Sequence, residues 1–423
     1  MPVNGADNKV QEKMAQELKR KVFVARQPIF DRDKNIYGYE LLFRNGLENF
    51  FDESLDKDYA SSKVVLDSLM LFDLNELTCG KRAFLNFTAK VLLSEAALAF
   101  PIDAIIIELL ETIPPDADIV AVCTMLKKKG YMLALDDFEF APKYQPLIDL
   151  ADIIKIDVLA TPPEEWSAVI EKSGRKNIKF LAEKVETFAV YNQTRDLGYH
   201  YFQGYYFSKP VIVSGKEMPS YKINLMQILK EMHQLEVSIS KLERIITRDV
   251  AISYKLLRFI NSAAFGFVKD IHSIRHALNL LGILEFKKWM SFILLSQMGS
   301  DKPNELLINS LIRAKFCELT AESIAHSHLK HDFFLMGLLS LIDAFLDRPV
   351  VDILKELPIS AEIKNAIQGE DSKLGQVLKL IIHYEQSKWE TVSELCTVLK
   401  LDESKILQHY FVSIKWANDF SIK

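Results

Sequence analysis

The segment AIIIELLETIPPDADIVAVCTMLKKKGYMLALDD (residues 104–137) decides the fold. It opens on an apolar, β-branched run, Ala104–Leu109. It then crosses a proline pair into helical spacing over Ala117–Lys129, and returns through Gly130 to a second apolar run, Met132–Leu135. Strand, helix, strand in that order is the repeating unit of a parallel α/β architecture. The pattern continues on both sides. Strand-like runs occupy Val22–Ile29, Tyr37–Phe43, Ala83–Phe87, Ile153–Ile156, Lys179–Ala182 and Tyr201–Phe207, and Ser61–Phe72 has helical spacing. Eight strands in about two hundred residues predict a (β/α)8 TIM-like barrel. Only a short turn, Asp31–Asn35, separates the first two runs, so the first strand should be antiparallel to the second.

The pattern stops at Val211–Pro219, which reads as a linker. Beyond it, Leu242, Ile245, Ile246, Leu256, Leu257 and Ile260 fall at helical spacing. Ser240 with Glu243 predicts a capping box, Ser273 the start of the following helix and Gly282 its end. The expected organisation is a leader over 1–20, an α/β barrel over 21–212 and an all-helical domain over 213–423. The 423 residues are 49% hydrophobic and 26% charged, which excludes a disordered or low-complexity chain. A net charge of -5 weighs against a nucleic-acid polymer as partner. The 15 glycines include no GxG pair, which excludes a dinucleotide fingerprint and a P-loop. Four cysteines without a CxxC pair read as small buried hydrophobes in a reducing cytosol. No apolar stretch reaches the ~18 residues of a membrane span, so a cytoplasmic protein is expected.

In a barrel, catalytic groups sit at the C-terminal strand ends. Here those ends carry Gln27, Glu40, Asn86, Glu108, Asp136 with Asp137, Lys155 with Asp157, Glu183 and Gln203. Charges inside apolar strands are unfavourable unless paired or metal-bound. Several carboxylates at one mouth repel one another, and a divalent cation relieves that. An oxygen-only donor set without Cys or His favours Mg²⁺ or Mn²⁺ over Zn²⁺. Taken singly, Lys155 reads as a structural ion pair with a neighbouring carboxylate.

These segments resemble the EAL domain, a barrel phosphodiesterase that hydrolyses cyclic di-GMP to linear pGpG. The matching stretches are RQPIFDRD (26–33), YGYELLFR (37–44), FLNF (84–87), IELLET (107–112), LDDF (135–138), IKID (154–157), AEKVET (182–187) and YFQGYYFSKP (201–210). The resemblance implies that Glu40, Asn86, Glu108 and Asp136 hold metal, with Asp137 at a second metal. It implies that Lys155 positions the attacking water, that Glu183 and Gln203 complete the site, that Glu111 anchors a mobile loop, and that Gln27 and Arg44 contact the dinucleotide. Hydrolysing a phosphodiester builds charge on its oxygens, which paired metals neutralise while acidifying a bound water.

The chain also departs from the pattern. Glu40-Leu41-Leu42 stands where the family has Glu-Ala-Leu. Phe138-Glu139-Phe140-Ala141-Pro142-Lys143-Tyr144 replaces a glycine-bearing loop that shapes the second metal site and couples it to dimerisation, which also raises a homodimer. The family's substrate segment after the second strand is missing.

The helical half resembles the HDOD domain, a relative of the HD phosphohydrolases, over 248–267 and 273–289. The family's HD dyad position falls within residues 337–343, where Ser340 and Leu341 stand. His331-Asp332 spells an HD dipeptide upstream, in an expected helix-connecting segment. Together with His328 it reads as solvated surface, as do the short basic runs Lys127–Lys129 and Lys287-Lys288. Two functions follow. In the first, a divergent barrel binds metal or cyclic di-GMP, or serves as scaffold, and the HDOD domain is a non-catalytic output that engages a protein partner. In the second, the barrel is an active Mg²⁺/Mn²⁺ phosphodiesterase. The altered loop tips the sequence toward the first.

Overall fold

A computed structural model describes residues 22–45, 74–136, 141–172, 177–204, 220–234, 237–261 and 271–419. The leader, the Ser61–Phe72 helix, Asp137 with its loop, and the Val211–Pro219 linker lie outside the described residues. The chain divides into two compact units, Met1–Phe207 with Tyr384–Glu390, and Ser208–His383 with Thr391–Lys423.

The first unit is a closed eight-stranded barrel in sequential order. Its strands are β1 (Val22–Asp31), β2 (Ile36–Asn45), β3 (Arg82–Phe87), β4 (Ile105–Leu109), β5 (Met132–Leu135), β6 (Ile153–Asp157), β7 (Lys179–Glu183) and β8 (Tyr201–Phe202). As the short turn predicts, β1 runs antiparallel to β2, and it is antiparallel to β8 as well. Every other neighbouring pair is parallel. Every residue of β4 and β6 is buried, the behaviour of parallel strands covered on both faces. Among the described residues β8 stops at Phe202, short of the expected Tyr201–Phe207.

One apolar layer fills the barrel: Ile29, Phe84, Ile106, Ala134, Ile153, Leu181 and Tyr201. Side chains on a strand return to the same face every second residue. Two positions on from six of these residues stand Asn86, Glu108, Asp136, Lys155, Glu183 and Gln203, and two before Ile29 on the antiparallel β1 stands Gln27. The strand period therefore delivers the polar series to one end of the barrel, directly above its core. At β2 the equivalent lower position is Gly38, where a Cβ would lie 2.7 Å from the Arg82 carbonyl oxygen and 3.0 Å from the Phe84 ring.

The second unit is helical among its described residues. Ser273 caps the helix Ile274–Met298 as expected, accepting the His276 N–H. Gly282, at φ 75°, breaks that helix as expected, but the chain resumes helical geometry beyond it. The expected Ser240/Glu243 capping box does not form. The helix Ile239–Thr247 begins two residues earlier, because Ser238 accepts the Lys241 N–H. Ser240 and Glu243 instead receive the Arg275 guanidinium, at 3.3 and 2.7 Å. Of the cysteines, Cys123, Cys317 and Cys396 are buried, whereas Cys79 is exposed at φ 54°, where its sulfur receives an Arg26 N–H.

Candidate functional site

Lys155 occupies the centre of the barrel end. Its ammonium contacts Glu108 and lies 2.5 Å from Glu183 Oε1, 3.1 Å from Asp136 Oδ1 and 3.8 Å from Glu40 Oε1. Lys155 and Glu108 are fully enclosed. An ammonium has three donors, and four carboxylates present far more acceptors than it can serve. Both oxygens of Glu108, and Asp136 Oδ1, are buried without an aligned hydrogen bond even though the ammonium is near. On the adjoining side Gln203 Nε2 donates to Glu40 Oε2 (2.7 Å) and to Gln27 Oε1 (3.0 Å), linking β8, β2 and β1.

The electrostatics follow from this crowding. Burial pushes the Glu108 carboxyl well above the usual range, Glu40, Asp136 and Glu183 add to that, and only Lys155 opposes it. Burial likewise raises Glu183, to about 8, against Lys155. Burial alone would lower Lys155, but the four surrounding carboxylates outweigh it and hold the ammonium firmly protonated. One oxygen each from Glu108, Asp136 and Glu183 lie within 4.8 Å of one another, a spacing that a single cation can span.

The remaining sequence-chosen residues divide. Asn86 pairs in register with Glu108 across β3 and β4 and is exposed. Glu111 is exposed in the turn after β4. The backbone of Arg44 pairs with Phe23 in β2. Its side chain, like Asp137, lies outside the described residues.

Three residues without an assigned role in the sequence reading shape the rim. Asp157 accepts the N–H groups of Leu159 (2.8 Å) and Ala160 (3.0 Å) and pairs with Lys184. Lys184 holds a left-handed conformation, φ 55°, directly after Glu183. Gly204, at φ 149°, leaves space where a Cβ would sit 2.4 Å from the backbone of Val185. The signal for Asp157 was present in the sequence, as a second charge two residues after Lys155. Arg26 faces away from the site, donating to the Leu77 carbonyl (2.6 Å) and stacking over Tyr39.

Comparison with known proteins places the whole chain. The EAL domain model matches residues 80–210 and the HDOD domain model residues 218–347. Bacillus subtilis YuxH is 37% identical over 94% of this chain and 98% of its own. The Vibrio cholerae cyclic di-GMP phosphodiesterase CdgJ is 34% identical over 94% of this chain and 93% of its own. The chain belongs to the EAL–HDOD family. Among solved structures, the manganese/cyclic di-GMP complex of Klebsiella pneumoniae BlrP1 is 23% identical, covering 44% of this chain and 55% of that one, at a TM-score of 0.37.

In this EAL–HDOD chain, Gln27 and Glu40 precede the span matched by the EAL model, yet β1 and β2 close the barrel and bring both residues to the site. In the HDOD half, Ser340 Oγ donates to the Gly337 carbonyl, a local helix contact. His331-Asp332 is not in a connecting segment: it opens the helix Lys330–Leu339, and both residues are half-buried, where solvated surface was expected. Lys288 is not solvated either. It is buried and pairs with Glu318 at 2.6 Å. Among the described residues, no helix is long and apolar enough to cross a membrane.

Proposed function

We propose that the EAL barrel is a divalent-metal-dependent phosphodiesterase that opens cyclic di-GMP to linear pGpG, and that the HDOD half is a non-catalytic output that engages a protein partner. One observation carries this reading: four carboxylates share one buried ammonium, and Glu108 and Asp136 keep buried oxygens without a hydrogen bond. A barrel kept only as a scaffold has no use for so unfavourable a cluster, since perturbed charge clusters gather at functional sites. Likeness over nearly full length to a named cyclic di-GMP phosphodiesterase supports the same reading.

The donor set fits a hard cation: all oxygen, with buried acceptors lacking donors. Glu108, Asp136 and Glu183 would hold it, joined by Glu40 and Asn86, with Asp137 serving a second ion. Bound Mg²⁺ or Mn²⁺ supplies an acidified water and neutralises charge on the phosphoryl oxygens. The chain's own groups do the rest. The Lys155 ammonium, fixed by carboxylates, orients the attacking water and stabilises negative charge as it develops. Glu183, 2.5 Å from that ammonium, fixes it in place for this role. Gln203 is held by Glu40 and Gln27 and keeps an unsatisfied Oε1, an acceptor for substrate. With Gln27 and Arg44 it would contact the dinucleotide.

A second reading, a receptor that binds without turnover, is favoured by Phe138-Glu139-Phe140-Ala141 where the family's glycine-bearing loop would stand. Incubation of the full chain with cyclic di-GMP and Mn²⁺ separates the two. Formation of pGpG establishes the enzyme. Micromolar nucleotide binding without product establishes the receptor.

A further inference from the structure

The HDOD unit contains a cavity of about 490 Å³, within the usual range for small-molecule sites. Leu335, Ile359 and Ile363 supply apolar wall, and Lys287, His331 and Asp332 supply polar groups. Lys287 is half-buried, yet among the described residues its ammonium has no hydrogen-bond or ion-pair partner, while its carbonyl accepts from Ser291 Oγ. Its neighbour shows the contrast: Lys288 pairs with Glu318, which Lys315 also reaches at 2.8 Å. His331 Nδ1 is buried without a hydrogen bond and stands 3.6 Å from Glu285 Oε1. A half-buried ammonium without a partner, beside a ring nitrogen whose one acid contact is long, leaves room for a further acceptor.

We propose that this cavity binds a small organic anion, its charged head on the Lys287 ammonium and the His331 ring and its apolar body against Leu335, Ile359 and Ile363. Two electrostatic features agree. Burial lowers the Lys287 ammonium below its ordinary range, a penalty that a bound anion relieves. Burial also raises Asp332, favouring its neutral form, so this carboxyl opposes an anion less than a solvated aspartate does. An aromatic phosphate and an aromatic carboxylate share the required chemistry.

The test uses the full chain with EDTA, which keeps divalent cations from the barrel. Phenyl phosphate, benzoate and the neutral benzyl alcohol are each titrated by calorimetry against wild type, Lys287→Met and the cavity-filling Leu335→Trp. The proposal expects at least one anion to bind wild type, at least tenfold more tightly than benzyl alcohol and tenfold more tightly than it binds either variant. The better of the two anions identifies the head group. Failure of both anions to bind, equal affinity for benzyl alcohol, or unchanged affinity in the variants overturns it. Circular dichroism checks folding, and should Lys287→Met unfold, Leu335→Trp and the benzyl alcohol comparison decide.

Discussion

Lys155 and Glu108 are the two residues on which the barrel end depends, and they respond oppositely to substitution. Lys155→Met strips the one cation from four carboxylates, and removing one partner of a buried ionic cluster costs about 3–5 kcal/mol. The expected result is a large fall in melting temperature without metal, partly restored by Mn²⁺, which supplies the missing positive charge. An equal fall with and without Mn²⁺ contradicts a cation site there. Glu108→Gln removes a carboxylate that burial and its neighbours already disfavour. It is expected to leave the metal-free melting temperature unchanged or higher while abolishing calorimetric Mn²⁺ binding, as a residue kept for function rather than stability should. His233 gives a separate test in the HDOD half. Burial, helped by Lys287, lowers it to about 3 from 6.5. The unfolded chain then binds the extra proton between those values, so stability rises with pH and is fully present above 6.5. On acidification below 6.5, His233 accounts for up to about 1.4 kcal/mol of lost stability per pH unit. Melting curves from pH 7.5 to 5 should therefore be flatter for His233→Gln than for wild type, and parallel slopes would contradict this.

At the scale of elements, the strand ends are set by close backbone contacts. Gly204→Ala places a Cβ 2.4 Å from the Val185 backbone at a positive φ, a clash on the order of 3 kcal/mol. Chemical denaturation should show that loss, together with weaker Mn²⁺ binding, because Gln203 adjoins it. Wild-type stability in the variant would mean that β8 yields easily. The barrel was legible because its strands are continuous apolar runs, and the site was legible because polar residues stand at the ends of those runs, as Glu108 does two positions after Ile106. What stayed hidden depends on three-dimensional register. The strand ends bring Lys155 and the carboxylates to one mouth, but a pairing with one carboxylate is all the chain suggests, where the ammonium meets four. Ser238 and Ser240 both satisfy local capping chemistry, and the packing of Arg275 against Ser240 and Glu243 decides between them. His331 read as surface because the residues that line a cavity with it, such as Ile359 and Ile363, lie far along the chain.

For the whole molecule, the proposed chemistry lies in the EAL barrel, where Glu108, Asp136 and Glu183 form a metal-capable group. The likeness to YuxH and CdgJ runs along nearly the entire length of each. A single barrel substitution should therefore silence the full chain. The most direct measurement is the rate of pGpG formation from cyclic di-GMP by the full chain with Mn²⁺, for wild type and for Glu108→Gln. Wild type is expected to turn over the nucleotide in a reaction that EDTA abolishes, with a fall of about 10³-fold or more in Glu108→Gln. Turnover that persists in Glu108→Gln, or a wild type that binds the nucleotide and never forms pGpG, would contradict it.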